Sequence, residues 1–146
     1  MVRAGLIGLG LAAAGTLPGC YSQPGPPEPA EGQFEQGVIS IDSTGREHVI
    51  VARVGSPGYS LTMDSTWEAY RRKHVFVTLH DPDPRFSYPQ VVVDLRVLTQ
   101  VSTREAITVF ARRAGRDEED IEAPYQEAAA APGSAATSGV TPAEGR

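Results

Sequence analysis

The amino-acid sequence predicts an all-β domain, a small antiparallel sandwich or partly closed barrel of about six strands. Between residues 34 and 115 the apolar residues recur with a period of two rather than three and a half. Glycine, proline and polar clusters punctuate these runs at hairpin spacing. Successive runs lie too close together for the crossover helices that a parallel sheet requires. The flanks differ in composition from this core, so the chain divides into residues 1–19, 20–33, 34–115 and 116–146.

Residues 37–42 and 47–54 flank Ser43-Thr44-Gly45-Arg46, a polar turn suited to a hairpin. Residues 58–70 and 74–80 form the next pair, with Arg71-Arg72-Lys73 as a charged tip. In the first of them Tyr59, Leu61, Met63, Trp67 and Ala69 fall on one face, and Ser60, Thr62, Asp64, Thr66 and Glu68 on the other. Alternation therefore predicts a buried Trp67 and a partly exposed Tyr70. After Asp81-Pro82-Asp83-Pro84, a segment no sheet interior tolerates, Val91, Val93, Leu95 and Val97 alternate with Val92, Asp94, Arg96 and Leu98 as a long fifth strand. Residues 104–113 carry two signals. Ser102-x-x-Glu105 is a capping box ahead of a helical stripe through Ala106, Ile107, Phe110, Ala111 and Ala114. Ile107-Thr108-Val109-Phe110 is β-branched and aromatic, and residues 99–104 can turn the chain back on the fifth strand; a sixth strand is the expectation.

The formal net charge is -5, every basic residue except Lys73 is arginine, and Arg71-Arg72-Lys73 and Arg112-Arg113 are the basic clusters. This balance excludes the phosphate-neutralising footprint of a nucleic-acid binder. Cys20 is the single cysteine, so the folded part holds no disulfide, cysteine metal site or thiol nucleophile.

Residues 1–19 have a charged start at Arg3, a short apolar run from Ala4 to Leu17, and then Pro18-Gly19-Cys20. The plan is that of a secretory signal, and the run falls short of the ~20 apolar residues that span a bilayer. Leu17-Pro18-Gly19-Cys20 resembles the lipobox of bacterial lipoproteins. The resemblance implies cleavage between Gly19 and Cys20, diacylation of the Cys20 sulfur, and residence in the cell envelope outside the cytoplasm. In a cell with two membranes it implies the outer one, because Tyr21 stands where an inner-membrane retention signal carries aspartate. Prolines at 24, 26, 27 and 29 make residues 20–33 a semi-extended tether. Residues 116–146 open on Asp117-Glu118-Glu119-Asp120 and continue in alanine, glycine, serine and proline, so a disordered tail is expected there.

The stretch from Ser56 to Met63, followed by the charged tip, the Val75-Phe76-Val77-Thr78-Leu79 strand, a proline-rich loop and two more strands, resembles PrcB-like domains over residues 55–112. These are small β domains of bacterial lipoproteins, named for a protein that stabilises a cell-surface protease complex. Pro57 stands where the family usually carries a second glycine. The resemblance implies an envelope protein that steadies another protein and has no catalytic residues of its own.

Chemistry-bearing residues are sparse. His74 and His80 share a strand face but stand ~20 Å apart, too far to hold one ion, and His48 reads as a surface or rim residue. The stiff His80-Asp81-Pro82-Asp83-Pro84 loop carries two carboxylates and an imidazole, which would suit a hydrolytic acid-base pair or calcium, although such sequences are commonly turns. No nucleophile elbow, phosphate-cradling loop or dinucleotide fingerprint occurs. Tyr70, Arg71, Arg72 and Phe76 form the candidate interaction patch. The expectation is a lipid-anchored, non-enzymatic envelope module without cofactor or metal, held to the membrane at Cys20 and binding another envelope protein. A module for envelope glycans or ions is the alternative.

Overall fold

Residues 25–115 and 123–134 are described in the computed structural model of the chain, and they form seven strands and no helix. The strands are β1 (Val38–Asp42), β2 (Glu47–Val54), β3 (Ser60–Ala69), β4 (Arg72–His80), β5 (Val93–Ser102), β6 (Ala106–Ala114) and β7 (Gln126–Ala131). They make two sheets, β1-β2-β5 and β3-β4-β6-β7, which face one another with β1 beside β7 and β3 beside β5 and do not close into a barrel. The core between them takes Ile39, Ile50, Ala52 and Val54 from one sheet and Val75, Val77, Leu79, Ile107, Val109 and Ala111 from the other. Val93, Leu95 and Val97 point into it, as their alternation predicts.

All neighbours are antiparallel except β4 and β6, which run parallel from Arg72↔Ala106 to His80↔Ala114. The expected return of β6 onto β5 does not occur. Instead the chain leaves β4, crosses to the other sheet as β5, and comes back as β6, so a strand of the opposite layer serves as the crossover that a helix usually supplies. This is the physical reason the absence of a crossover helix did not exclude a parallel pair.

A β-bulge at Asp64 changes which side of β3 faces inward. Met63 pairs with Val77, but Ser65 pairs with Phe76 and Trp67 with His74. Two successive residues therefore occupy one face, and Trp67 lies on the outer face rather than on the face of Leu61 and Met63. There it packs against a second apolar cluster of Phe76, Phe110 and Tyr125.

Two expectations about the flanks are corrected. Gln126–Ala131, inside the stretch expected to be disordered, is the seventh strand: it pairs with β6, turns Ala129 and Ala131 toward the core, and follows a buried Tyr125. At the end of the tether, the Ala30 N–H donates to the Tyr125 carbonyl and the Phe34 N–H to the Glu127 carbonyl, both at 2.8 Å. A parallel bridge joins Gln33 to Glu127, so the last tether residues cover the free edge of β7. Gly32 permits this approach at φ 114°, with Gln126 close beside it.

Candidate interaction site at the turn end

The strand directions give the sandwich two unlike ends. At one, called the turn end, lie the short connections 43–46, 70–71 and 103–105; at the other, the loop end, lie 55–59 and 81–92. Of the expected site residues, Tyr70, Arg71 and Arg72 belong to the turn end. Cys20 and Gly19 lie outside the described residues.

The turn end is held by one buried imidazole. His48, fully buried on β2, donates from Nε2 to the Glu105 carbonyl at 2.8 Å, since a carbonyl can only accept. Its Nδ1 then accepts the Ser43 hydroxyl at 2.8 Å. The ring so ties the β1–β2 turn to the β5–β6 turn, and the expectation of a surface or rim histidine is overturned. Opposite it, Gln100 is in the left-handed region at φ 58°, and the Thr99 hydroxyl donates to the His48 carbonyl. Thr103 reinforces the tie with its N–H and hydroxyl, both directed at the carbonyls of the first turn. The Ser134 N–H donates to the Thr103 carbonyl, which brings the C-terminal side of β7 to this end.

On this frame sit the basic side chains. Tyr70 and Arg71 form the two-residue turn between the paired Ala69 and Arg72, with Arg71 left-handed at φ 59° where glycine is the usual choice. Tyr70 is 86% exposed, and the Arg71 guanidinium lies 5.3 Å from its ring centroid. Arg72 reaches the Thr108 hydroxyl at 2.8 Å. Lys73 pairs with Glu68 at 3.2 Å and Glu105 at 3.6 Å; the hydrogen bond it donates to Glu68 leads in holding its ammonium above the usual lysine range. Arg71, Arg72 and Lys73 with Glu68, Glu105 and Arg104 line a cleft of about 290 Å³, and Arg104 also borders a neighbouring hollow of about 490 Å³ with Arg46. Five cationic side chains thus meet two carboxylates in a chain whose overall charge is negative.

Phe76 does not join this patch. It is 1% exposed on the outer face of the four-stranded sheet, stacked on Phe110 at 5.3 Å and met edge-on by Tyr125 at 5.0 Å. Around it runs a polar network that sequence reasoning missed. Asp64 accepts the hydroxyls of Thr78 and Tyr125, Arg112 donates to Thr78, and the Arg112 guanidinium covers the Tyr125 ring at 4.5 Å. Burial first, then the Asp64 charge, pushes the Tyr125 phenol above its ordinary range. Burial, and next the charge of Arg72, hold the His74 imidazole below its ordinary range. No sequence signal marks this network, because the Asp64 bulge that assembles it leaves no trace in the composition of β3.

At the loop end the 80–84 segment is tied down by ion pairs. Asp81 accepts from Arg113 at 2.6 Å, and the nearly buried Asp83 carboxylate accepts the Arg85 guanidinium and the Arg85 N–H. His80 meets the Thr62 hydroxyl rather than either aspartate. His48, His74 and His80 are not gathered, and among the described residues no group of three or more histidine, cysteine or carboxylate side chains is placed to hold a metal. A cleft of about 330 Å³ opens nearby between Tyr59, Pro82, Phe86 and Tyr88. No protein-family model, curated protein or solved structure matches this chain.

Proposed function

We propose that this chain is an exported envelope lipoprotein, acylated at Cys20, whose β domain binds a partner protein through the turn end and performs no catalysis. The observation that carries the binding reading is the pairing of an 86% exposed Tyr70 with the Arg71 guanidinium, at the rim of a cleft richer in arginine than in carboxylate. Tyrosine and arginine are the residue types enriched at interface hot spots, the one for its rigid amphipathic ring and the other for its planar donor fork. Among the described residues Arg71 and Arg104 have no carboxylate partner, so an acidic surface would meet charge not already neutralised. The resemblance to PrcB-like domains, which steady another protein, points the same way.

Two measurements test the reading. Metabolic labelling with a fatty-acid analogue should mark the wild-type chain and not Cys20→Ser; equal labelling of both ends the lipoprotein assignment. A pull-down from detergent-solubilised envelope should recover one stoichiometric partner with wild type, and at least tenfold less with the double variant Arg71→Glu, Arg104→Glu. Undiminished recovery would exclude the turn end as the contact.

A further inference from the structure

We infer that the loop end is a membrane-contacting surface, with Phe86, Val91 and Val92 entering the headgroup boundary of a zwitterionic bilayer while the turn end faces away; this rests on the lipid anchor proposed above. The apolar side chains are presented, not hidden. Phe86 is 63% exposed, Val91 54% and Val92 65%, all on the 81–92 connection, and Val38 at the start of β1 adds a fourth exposed apolar residue at this end. Their backbone is stiff: Pro82, Pro84 and Pro89 fix it, the Asp83 carbonyl accepts the Phe86 N–H, and the Val91 N–H returns to the Pro89 carbonyl. The loop therefore holds apolar groups in water without the option of folding them inward, the pattern of a site that awaits an apolar surface.

The path of the chain selects a bilayer as that surface. Residues 30–34 run parallel to the start of β7, which begins at the loop end, so the segment from Cys20 joins the fold from that side. From Cys20 to Ala30 the ten residue steps span ~31 Å as polyproline. Ala30 is bonded to Tyr125, the residue before the Gln126 that pairs with Ala111, so it stands about two residues from the loop end of β6 and about six, or ~20 Å, from its turn end. The shorter path from Cys20 to the fold is therefore beneath the loop end, with slack, whereas a membrane beneath the turn end would require the tether to be drawn back along most of the strand length. At this end Arg53, Arg85 and Arg113 are already paired with Asp94, Asp83 and Asp81, so no spare positive charge among the described residues draws an anionic surface and the contact is committed to zwitterionic lipid.

The test uses the full acylated chain reconstituted into phosphatidylcholine vesicles with brominated acyl chains, in two variants at exposed positions, Phe86→Trp and Tyr70→Trp. After subtraction of the wild-type signal from Trp67, the added emission of Phe86→Trp should be blue-shifted and quenched by more than half. That of Tyr70→Trp should be unquenched. Equal quenching of both, or of neither, overturns the orientation when mass spectrometry of the same sample finds the acyl chains on Cys20. Absence of those chains overturns the anchor and the orientation together, so the two failures are distinguishable.

Discussion

The turn end and the loop end solve opposite problems with the same seven strands. At the turn end the connections are short and their polar groups are satisfied internally by His48, Thr99 and Thr103, so charge is left over and projects outward. At the loop end the carboxylates of Asp81 and Asp83 are neutralised by arginines, and what projects is Phe86, Val91 and Val92. The difference teaches that the two ends present different groups among the described residues: arginines without a carboxylate partner at the turn end, and Phe86, Val91 and Val92 beside ion-paired arginines at the loop end. Breaking either frame should damage one end and spare the other.

The largest effect is expected at His48. His48→Leu empties a fully buried polar site, removes both ring hydrogen bonds and takes their partner from the part-buried Ser43 hydroxyl and Glu105 carbonyl, at a cost of about 3 kcal/mol. Urea unfolding should show a lowered midpoint with an unchanged slope. The loop end comes next. A Cβ at Gly58 would stand 2.7 Å from the Tyr88 ring and 2.8 Å from Pro82, so Gly58→Ala must push the 81–92 connection away from the 55–59 loop, costing about 2 kcal/mol. Thermal unfolding checks the loss, and hydrogen exchange should loosen residues 81–92 while the amides of the 103–105 turn keep their protection.

The contrast between the ends was only partly legible in the sequence, and the reasons are local. The β5 alternation of Val93, Leu95 and Val97 announced its buried face because nothing interrupts it until Gln100. On β3 the same rule misplaced Trp67, since one extra residue at Asp64 inverts every later side chain. Gln126–Ala131 has the composition of a tail and low strand propensity. It is a strand because β6 offers an edge and small side chains fit against the core. Arg71 and Arg72 were readable as a polar tip within one hairpin. Arg104 and Arg46 were not, because a crossover that exists only in the folded topology brings their turns beside it. His48 looked like a rim histidine because one of its two partners is 57 residues away.

A smaller effect links the turn end to pH. His74 faces Trp67, Thr108 and Phe110 on the outer sheet, with Arg72 and Glu127 as its charged neighbours. Its folded value lies below the ordinary 6.5, so near that pH the unfolded chain binds the proton more readily than the folded one. Stability should therefore fall as pH drops through 6.5 and level off below the folded value. His74→Gln should flatten this part of a stability-pH profile. A partner that neutralises Arg72 should raise the folded imidazole's value toward the ordinary one and so shrink the decline, a shift readable by NMR titration of the ring.

The smallest expected change is the most informative about purpose. Tyr70 is 86% exposed, with the Arg71 guanidinium 5.3 Å from its ring centroid, so Tyr70→Ser should alter unfolding stability by no more than about 0.5 kcal/mol. A large aromatic ring at a hairpin tip is a poor choice for solubility, and the fold gives it no packing in return. If chemical denaturation shows the expected near-neutrality while partner capture falls, the ring is held in place for recognition. If Tyr70→Ser destabilises the domain by several times that amount, the tip is part of the frame, and the division of labour between the two ends is less complete than their side chains imply.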